Sequence, residues 1–195
     1  SKTGPEPLSH TFVWNTACTH VKRLPHKVTF KAEDIPADRN ETPLSDVYTV
    51  DITVIAPSPK NPQVESSGRA FNLQWEPNFC EDAQGYLIYR RETAFGFVPD
   101  SCETGVPEYT GYEFLDSNTA GLFDTTYLDT NNLELGVQCC YMVVAYFLDE
   151  AQSYASVEFC ASLPLTLPLI TKVDVESTST TTGQINVEWL SPPEI

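Results

Sequence analysis

The sequence predicts an all-β chain: one complete two-layer sandwich flanked by pieces of others. Three observations carry that prediction. Val, Thr, Tyr and Phe recur in short alternating runs, and no window sustains a helical period. Residues 136–160 read as a hairpin, two β-branched and aromatic runs around the polar break Asp149-Glu-Ala-Gln152. Finally, Val64-Glu-Ser66 and Phe71-Asn-Leu-Gln-Trp75 return as Val175-Glu-Ser177 and Ile185-Asn-Val-Glu-Trp189, a period of roughly 110 residues, the size of one sandwich domain.

From the N-terminus, Thr11-Phe-Val-Trp14, the run 27–32 and the run 48–55 read as strands. In the last, Tyr48, Val50, Ile52 and Val54 alternate with polar residues, the pattern of a half-buried strand. Three strands are too few for an independent core, so residues 1–57 are expected to be the C-terminal part of a sandwich. Pro57-Ser-Pro-Lys-Asn-Pro62 is expected to be a stiff linker, because proline cannot donate to a ladder. The complete domain, 58–165, then opens with 70–75, which places Phe71, Leu73 and Trp75 on one face. Strands follow at 85–91, 112–115 and 125–128, with a long segment (92–111) and a turn at 129–132 between them. In the hairpin, closure at Leu148 and Gln152 sets Ala145 opposite Ala155, Val143 opposite Val157, Tyr141 opposite Phe159 and Cys140 opposite Cys160. A second proline linker, 163–168, leads into 166–195, the first strands of a repeat. The prediction requires Trp75, Tyr86, Tyr141 and Val143 to meet inside one shell.

The formal net charge is −16 and the sequence pI about 4.3. Such a surface repels phosphate backbones and excludes nucleic acid as an expected partner. No apolar stretch approaches membrane-spanning length. The polar start Ser1-Lys-Thr-Gly shows no signal peptide, and both ends read as breaking off inside domains. Six cysteines in an all-β chain argue for an oxidising compartment.

Register makes Cys140–Cys160 the first expected disulfide. The second is Cys80–Cys102, which would tie a loop to the long segment and contribute on the order of 3 kcal/mol by chain entropy. Cys139 is then a buried free thiol and Cys18 is left over. The adjacency of Cys139 and Cys140 leaves a swap of partners open.

At this point the residues resemble a family. Leu73-Gln-Trp75, Gly85-Tyr-Leu-Ile-Tyr89, Tyr127-Leu-Asp129 and Leu133-Glu-Leu-Gly136 before Tyr141-Met-Val-Val-Ala145 look like the fibronectin type III domain, an immunoglobulin-like sandwich. The cysteine pattern with Gly85-Tyr-x-Ile-Tyr-Arg-Arg91 further resembles repeats of large Bacteroidota surface proteins, gliding-motility-associated and exported by the type IX secretion system. The resemblance implies a secreted or cell-surface, multidomain, non-catalytic protein on the outer face of the bacterial outer membrane. In that family a corner tyrosine usually stands where this chain has Cys139, so the corner hydrogen bond to upstream backbone is expected to be absent. The 1–57 piece resembles the tail of a cadherin-like or immunoglobulin-like repeat. Asp124-Thr-Thr126 is similar to sites that Bacteroidota O-glycosylate, which makes Thr125 a candidate.

Three other groups of residues are candidates for sites. His10, Cys18, His20 and His26 match no familiar zinc spacing and are expected to be surface residues. Glu33, Asp34, Asp38 and Asp46 lack the partner motifs a calcium site needs, so no metal is expected. Phe95, Phe97, Tyr109 and Tyr112 crowd into a segment longer than a hairpin requires. They read either as a lid folded back on the sheet or as a platform for glycan or protein.

No catalytic constellation or cofactor motif assembles, since residues 58–165 contain no histidine. The expected role is a non-catalytic spacer or adhesion stalk whose partners are neighbouring domains of its own chain and other surface proteins or glycans. The alternatives are a ligand-binding adhesin domain and an accessory domain of a secreted hydrolase.

Overall fold

The computed structural model describes residues 9–36, 38, 42–164 and 169–190. The expectations for the start of the chain and for the linker past Pro164 lie outside them. The strands are β1 (His26–Glu33), β2 (Ser45–Ile52), β3 (Lys60–Ser67), β4 (Ala70–Glu76), β5 (Gly85–Glu92), β6 (Glu113–Asn118), β7 (Thr126–Asp129), β8 (Gln138–Tyr146), β9 (Phe159–Ser162), β10 (Leu169–Thr178) and β11 (Gly183–Leu190). One sheet runs β3-β4-β7 and the other β6-β5-β8-β9, with every pair antiparallel. The chain crosses between the layers after β4, β6 and β7, the arrangement of an immunoglobulin-like sandwich of the fibronectin type III kind. β1–β2 and β10–β11 form separate two-stranded sheets on either side of it in sequence.

Alternation in β4 sends Phe71, Leu73 and Trp75 inward, where they meet Tyr86 and Ile88 of β5 and Tyr141, Val143 and Ala145 of β8 in one core. The rings interlock edge-on, Trp75 with Tyr86 at 5.3 Å and Phe71 with Tyr141 at 5.9 Å between centroids. Gly85 admits β5 to the sheet at all: a β-carbon there would stand 1.9 Å from the Asn118 carbonyl oxygen.

β8 departs from the half-buried rule for antiparallel strands. Its outward residues Cys140, Met142 and Val144 are also fully buried, in a second cluster with Phe97, Tyr112 and Ala155. The signal is in the sequence: 139–147 contains no polar residue facing outward, the run of a strand covered on both sides. What covers it is the long segment between β5 and β6.

Several expectations are corrected. β3 starts inside the expected linker. The ladder slips between Lys60 and Gln63, so Asn61 (φ 48°) and Pro62 are looped past it, which answers the missing proline donor. The linker is packed: Ala56 and Pro59 are buried, and the carbonyls of Ala56 and Pro57 accept hydrogen bonds from Tyr154 N–H and Asn78 Nδ2. Residues 11–14 join no sheet; Trp14 instead packs edge-on against the His20 and His26 rings. The half-buried alternation holds only from Val50 through Ile52 to Val54, with Thr49, Asp51 and Thr53 exposed; Tyr48 is 71% exposed, because no second layer covers the start of β2 among the described residues.

The hairpin keeps Tyr141 opposite Phe159 and Cys140 opposite Cys160, but the pairs Val143–Val157 and Ala145–Ala155 do not form. Two serines intervene. Ser153 N–H bonds the Ala145 carbonyl while its Oγ accepts from Ala145 N–H; Ser156 does the same for Val143. Side-chain oxygen replaces ladder carbonyl twice, so the returning segment is kinked and its alternation shifts. Ala155 consequently faces the second cluster and Val157 faces solvent.

Cys140 and Cys160 are joined. The expected Cys80–Cys102 bridge is not present; Cys80 pairs with Cys18. Cys80 is 1% exposed in the main core, where Cys18 and Val21 pack against it, whereas Cys102 is exposed on the segment covering the opposite side of the other sheet.

Candidate functional site

Two places collect chemistry: the segment 93–112 over the outer face of β8, and the joint between residues 17–23 and the sandwich.

The segment is held by one carboxylate. Glu158 Oε1 accepts from Phe95 N–H (2.6 Å) and the Tyr112 hydroxyl (2.6 Å), and Oε2 accepts from Gly96 N–H (2.8 Å). Burial alone would raise the Glu158 carboxyl, but these three bonds with the nearby Arg91 charge outweigh it and hold the group below its usual range. Further bonds run from Tyr154 Oη to the Ser101 carbonyl and from Gly105 N–H to the Ser153 carbonyl.

This tether divides the four aromatics. Phe97 and Tyr112 sink into the second cluster, while Phe95 and Tyr109 stay 43% and 63% exposed, 6.2 Å apart. The Arg91 guanidinium lies 5.3 Å from the centre of the Phe95 ring, and the Tyr109 hydroxyl donates to Glu103 Oε1 at 2.8 Å. That Glu158 and Arg91 meet this segment is not legible in the sequence, since both lie outside it. The hint in the sequence is a charged residue, Glu158, standing between the strand-forming Val157 and Phe159.

Two outcomes are expected from this geometry. Phe97→Ala should destabilise the chain by about 3 kcal/mol in urea unfolding, since a buried ring is lost, while Phe95→Ala should move the midpoint little. In amide exchange, Phe95 and Gly96 should keep their protection from neutral pH down through the ordinary glutamate range. Protection should fall only as pH drops below it, because a depressed carboxyl contributes above its unfolded pKa and loses that contribution as it is protonated in the folded state.

Behind β8 a buried polar knot ties the layers. Asp129 Oδ2 accepts from Arg90 Nη1 and from the Tyr141 hydroxyl, both at 2.8 Å, and Oδ1 accepts from Asn131 N–H at 3.0 Å. Burial together with Asp129 pushes the Tyr141 phenol far above its ordinary range. Burial likewise raises the Cys139 thiol, which stands at the expected corner position. Tyr141, two residues on, anchors to the Asp129 side chain instead of to upstream backbone.

At the joint, Cys18–Cys80 is accompanied by Arg23, whose N–H donates to Asp149 Oδ2 (2.8 Å) and whose Nη1 pairs with Glu150 Oε2 (2.6 Å). His26 Nε2 lies 2.8 Å from the His20 carbonyl, and His20 Nδ1 accepts from Ala17 N–H. Among the described residues no three His, Cys, Asp or Glu side chains converge as a metal site. Glu33 pairs with Lys31, and Asp34 accepts from Leu44 N–H. Thr125 is half-buried just before β7, with its carbonyl bonded to Trp75 N–H. No helix among the described residues is long and apolar enough to cross a membrane.

No family model matches the chain, and no curated protein matches it. Among solved structures, an Fn3-like protein from Clostridium thermocellum is 23% identical, with a TM-score of 0.38 over 58% of this chain and 99% of that one. A β-1,2-glucanase from Parabacteroides distasonis is 18% identical (TM-score 0.38), over 68% of this chain and 17% of that one. The FN1–FN3 domains of chicken CNTN1 are 15% identical (TM-score 0.38), over 79% of this chain and 50% of that one. The fold assignment rests on strand order and register: residues 60–162 form an all-β, fibronectin type III-like sandwich.

Proposed function

We propose that this chain is a non-catalytic structural and interaction module of a secreted or cell-surface multidomain protein, a spacer or adhesion stalk. In this reading residues 1–57 are the tail of one sandwich, 58–165 a complete one and 166–195 the start of another. The observation that carries it is the joint: a disulfide, an ion pair and packed core residues fasten the N-terminal piece to the sandwich. A proline linker alone would only limit bending; a covalent bridge across it fixes the approach of one unit to the next. The open apolar faces of β10–β11, where Val175, Ile185 and Trp189 are 60–62% exposed, suit a further layer supplied by neighbouring chain.

On the resemblance to Bacteroidota repeats, the parent protein belongs on the outer face of the outer membrane, exported by the type IX system and associated with gliding. Its partners are neighbouring domains of the same chain, with other surface proteins or glycans beyond them. One observation favours the adhesin alternative: Phe95 and Tyr109 remain side by side at the surface.

The stalk reading is tested by 15N relaxation. Amides of β1–β2 and of the sandwich should share one tumbling time, and a Cys18→Ser/Cys80→Ser double variant should split it. Independent tumbling in the unmodified chain would remove the reading's main support.

A further inference from the structure

The joint leaves an open cleft of about 530 Å³ between residues 22–23, the 53–55 segment and the 150–152 turn. Sites for small ligands run from roughly 300 to 1,000 Å³. Leu87 and Ala151 contribute apolar lining, Lys22, Thr53, Tyr146 and Gln152 polar lining, and the one carboxylate in the lining, Glu150, is paired with Arg23.

Lys22 is the telling residue. It is half-buried, and among the described residues its ammonium has no ion-pair or hydrogen-bond partner. In a chain with 27 Asp and Glu against 11 Lys and Arg, a half-buried cation should find a carboxylate easily. Its neighbour Arg23 does, its guanidinium on Glu150. The Thr53 and Tyr146 hydroxyls and the Gln152 amide are likewise unengaged by described side chains. Hydroxyl and amide groups each donate and accept, as sugar hydroxyls do, and apolar lining takes the C–H face of a ring.

We infer that the cleft binds one acidic sugar residue, its carboxylate on the Lys22 ammonium and its hydroxyls on Thr53, Tyr146 and Gln152. A neutral sugar would leave the cation unpaired, and a bare carboxylate would leave the other polar groups unpaired. The net charge of −16 opposes anions at long range, so the site takes a single charge and not a polyanion.

The test is an NMR titration of the whole chain with sodium D-glucuronate, glucose, acetate, a glutamate-containing dipeptide and a galacturonate trimer. Saturable shifts at Lys22, Thr53 and Gln152 are expected with glucuronate, and binding about tenfold or more weaker with each of the others. Lys22→Gln should weaken glucuronate by about tenfold, while Lys60→Gln, on β3 outside the cleft, should leave it unchanged. The inference is overturned by no saturable shift, by acetate, dipeptide or trimer binding as well as glucuronate, or by full binding to K22Q. Lys22→Gln leaves Cys18–Cys80 and the Arg23 pair in place, so the outcome does not depend on how stiff the joint is.

Discussion

Asp129→Ala is expected to destabilise the chain by about 4 kcal/mol in urea unfolding, because removing one partner of a buried ion pair leaves the other uncompensated. The Asp129 side chain is fully buried, and the Arg90 side chain is 22% exposed. Without the carboxylate, the guanidinium keeps only the Asn131 carbonyl at 2.7 Å, the Tyr141 hydroxyl loses its acceptor and Asn131 N–H loses its cap. Tyr141→Phe removes one of those bonds and leaves the ion pair intact, so a loss of about 1.5 kcal/mol is expected. Asp129→Asn, which keeps the shape but not the charge, should fall between the two. Wild-type stability in Asp129→Ala would mean that the knot is not what joins the 129–132 turn to β5 and β8.

The Cys18→Ser/Cys80→Ser double variant carries the second large effect. The bridge spans 62 residues, and by the chain-entropy account its loss removes about 4 kcal/mol. The matching Cys140→Ser/Cys160→Ser variant opens a span of 20 residues, for which about 3 kcal/mol is expected. The two differ in kind as well as size. Loss of Cys18–Cys80 should free residues 9–36 from the core and expose Ala56 and Val21, while loss of Cys140–Cys160 should act within the sandwich and loosen β9. Amide exchange resolved by strand separates these patterns.

Much of the fold was legible because period-2 alternation is a local signal. The inward faces of β4 and β5, and the lower half of the β8–β9 register, follow from it directly. Where the reading failed, a non-local partner had decided the matter. Two serines whose side chains replace ladder bonds change the hairpin between Ala145 and Phe159, and nothing in Ser153 or Ser156 alone announces that. Spacing favoured Cys102 for Cys80. The partner was chosen instead by which side of the sheet each cysteine occupies, a property of the assembled layers.

The aromatic segment shows the same division. Its length marked it as unusual, and its composition allowed both lid and platform. Glu158, sixty-odd residues downstream of the backbone N–H groups it accepts from, settles which rings go under. Lys22 was invisible to the sequence reading for a related reason. A lysine without a counter-charge can be recognised only once the carboxylates around it have been placed.

Covalent attachment of the N-terminal piece to the sandwich is the claim on which the stalk reading turns, and mass mapping of an unreduced tryptic digest addresses it. The structure requires the peptide 3–22 to be linked to the peptide 70–90, with Cys102 open to alkylation in the native chain and Cys139, buried with a raised thiol, resistant until unfolding. Finding 70–90 linked instead to 92–172, with 3–22 free, would place Cys80 on Cys102 and leave the joint without its bridge.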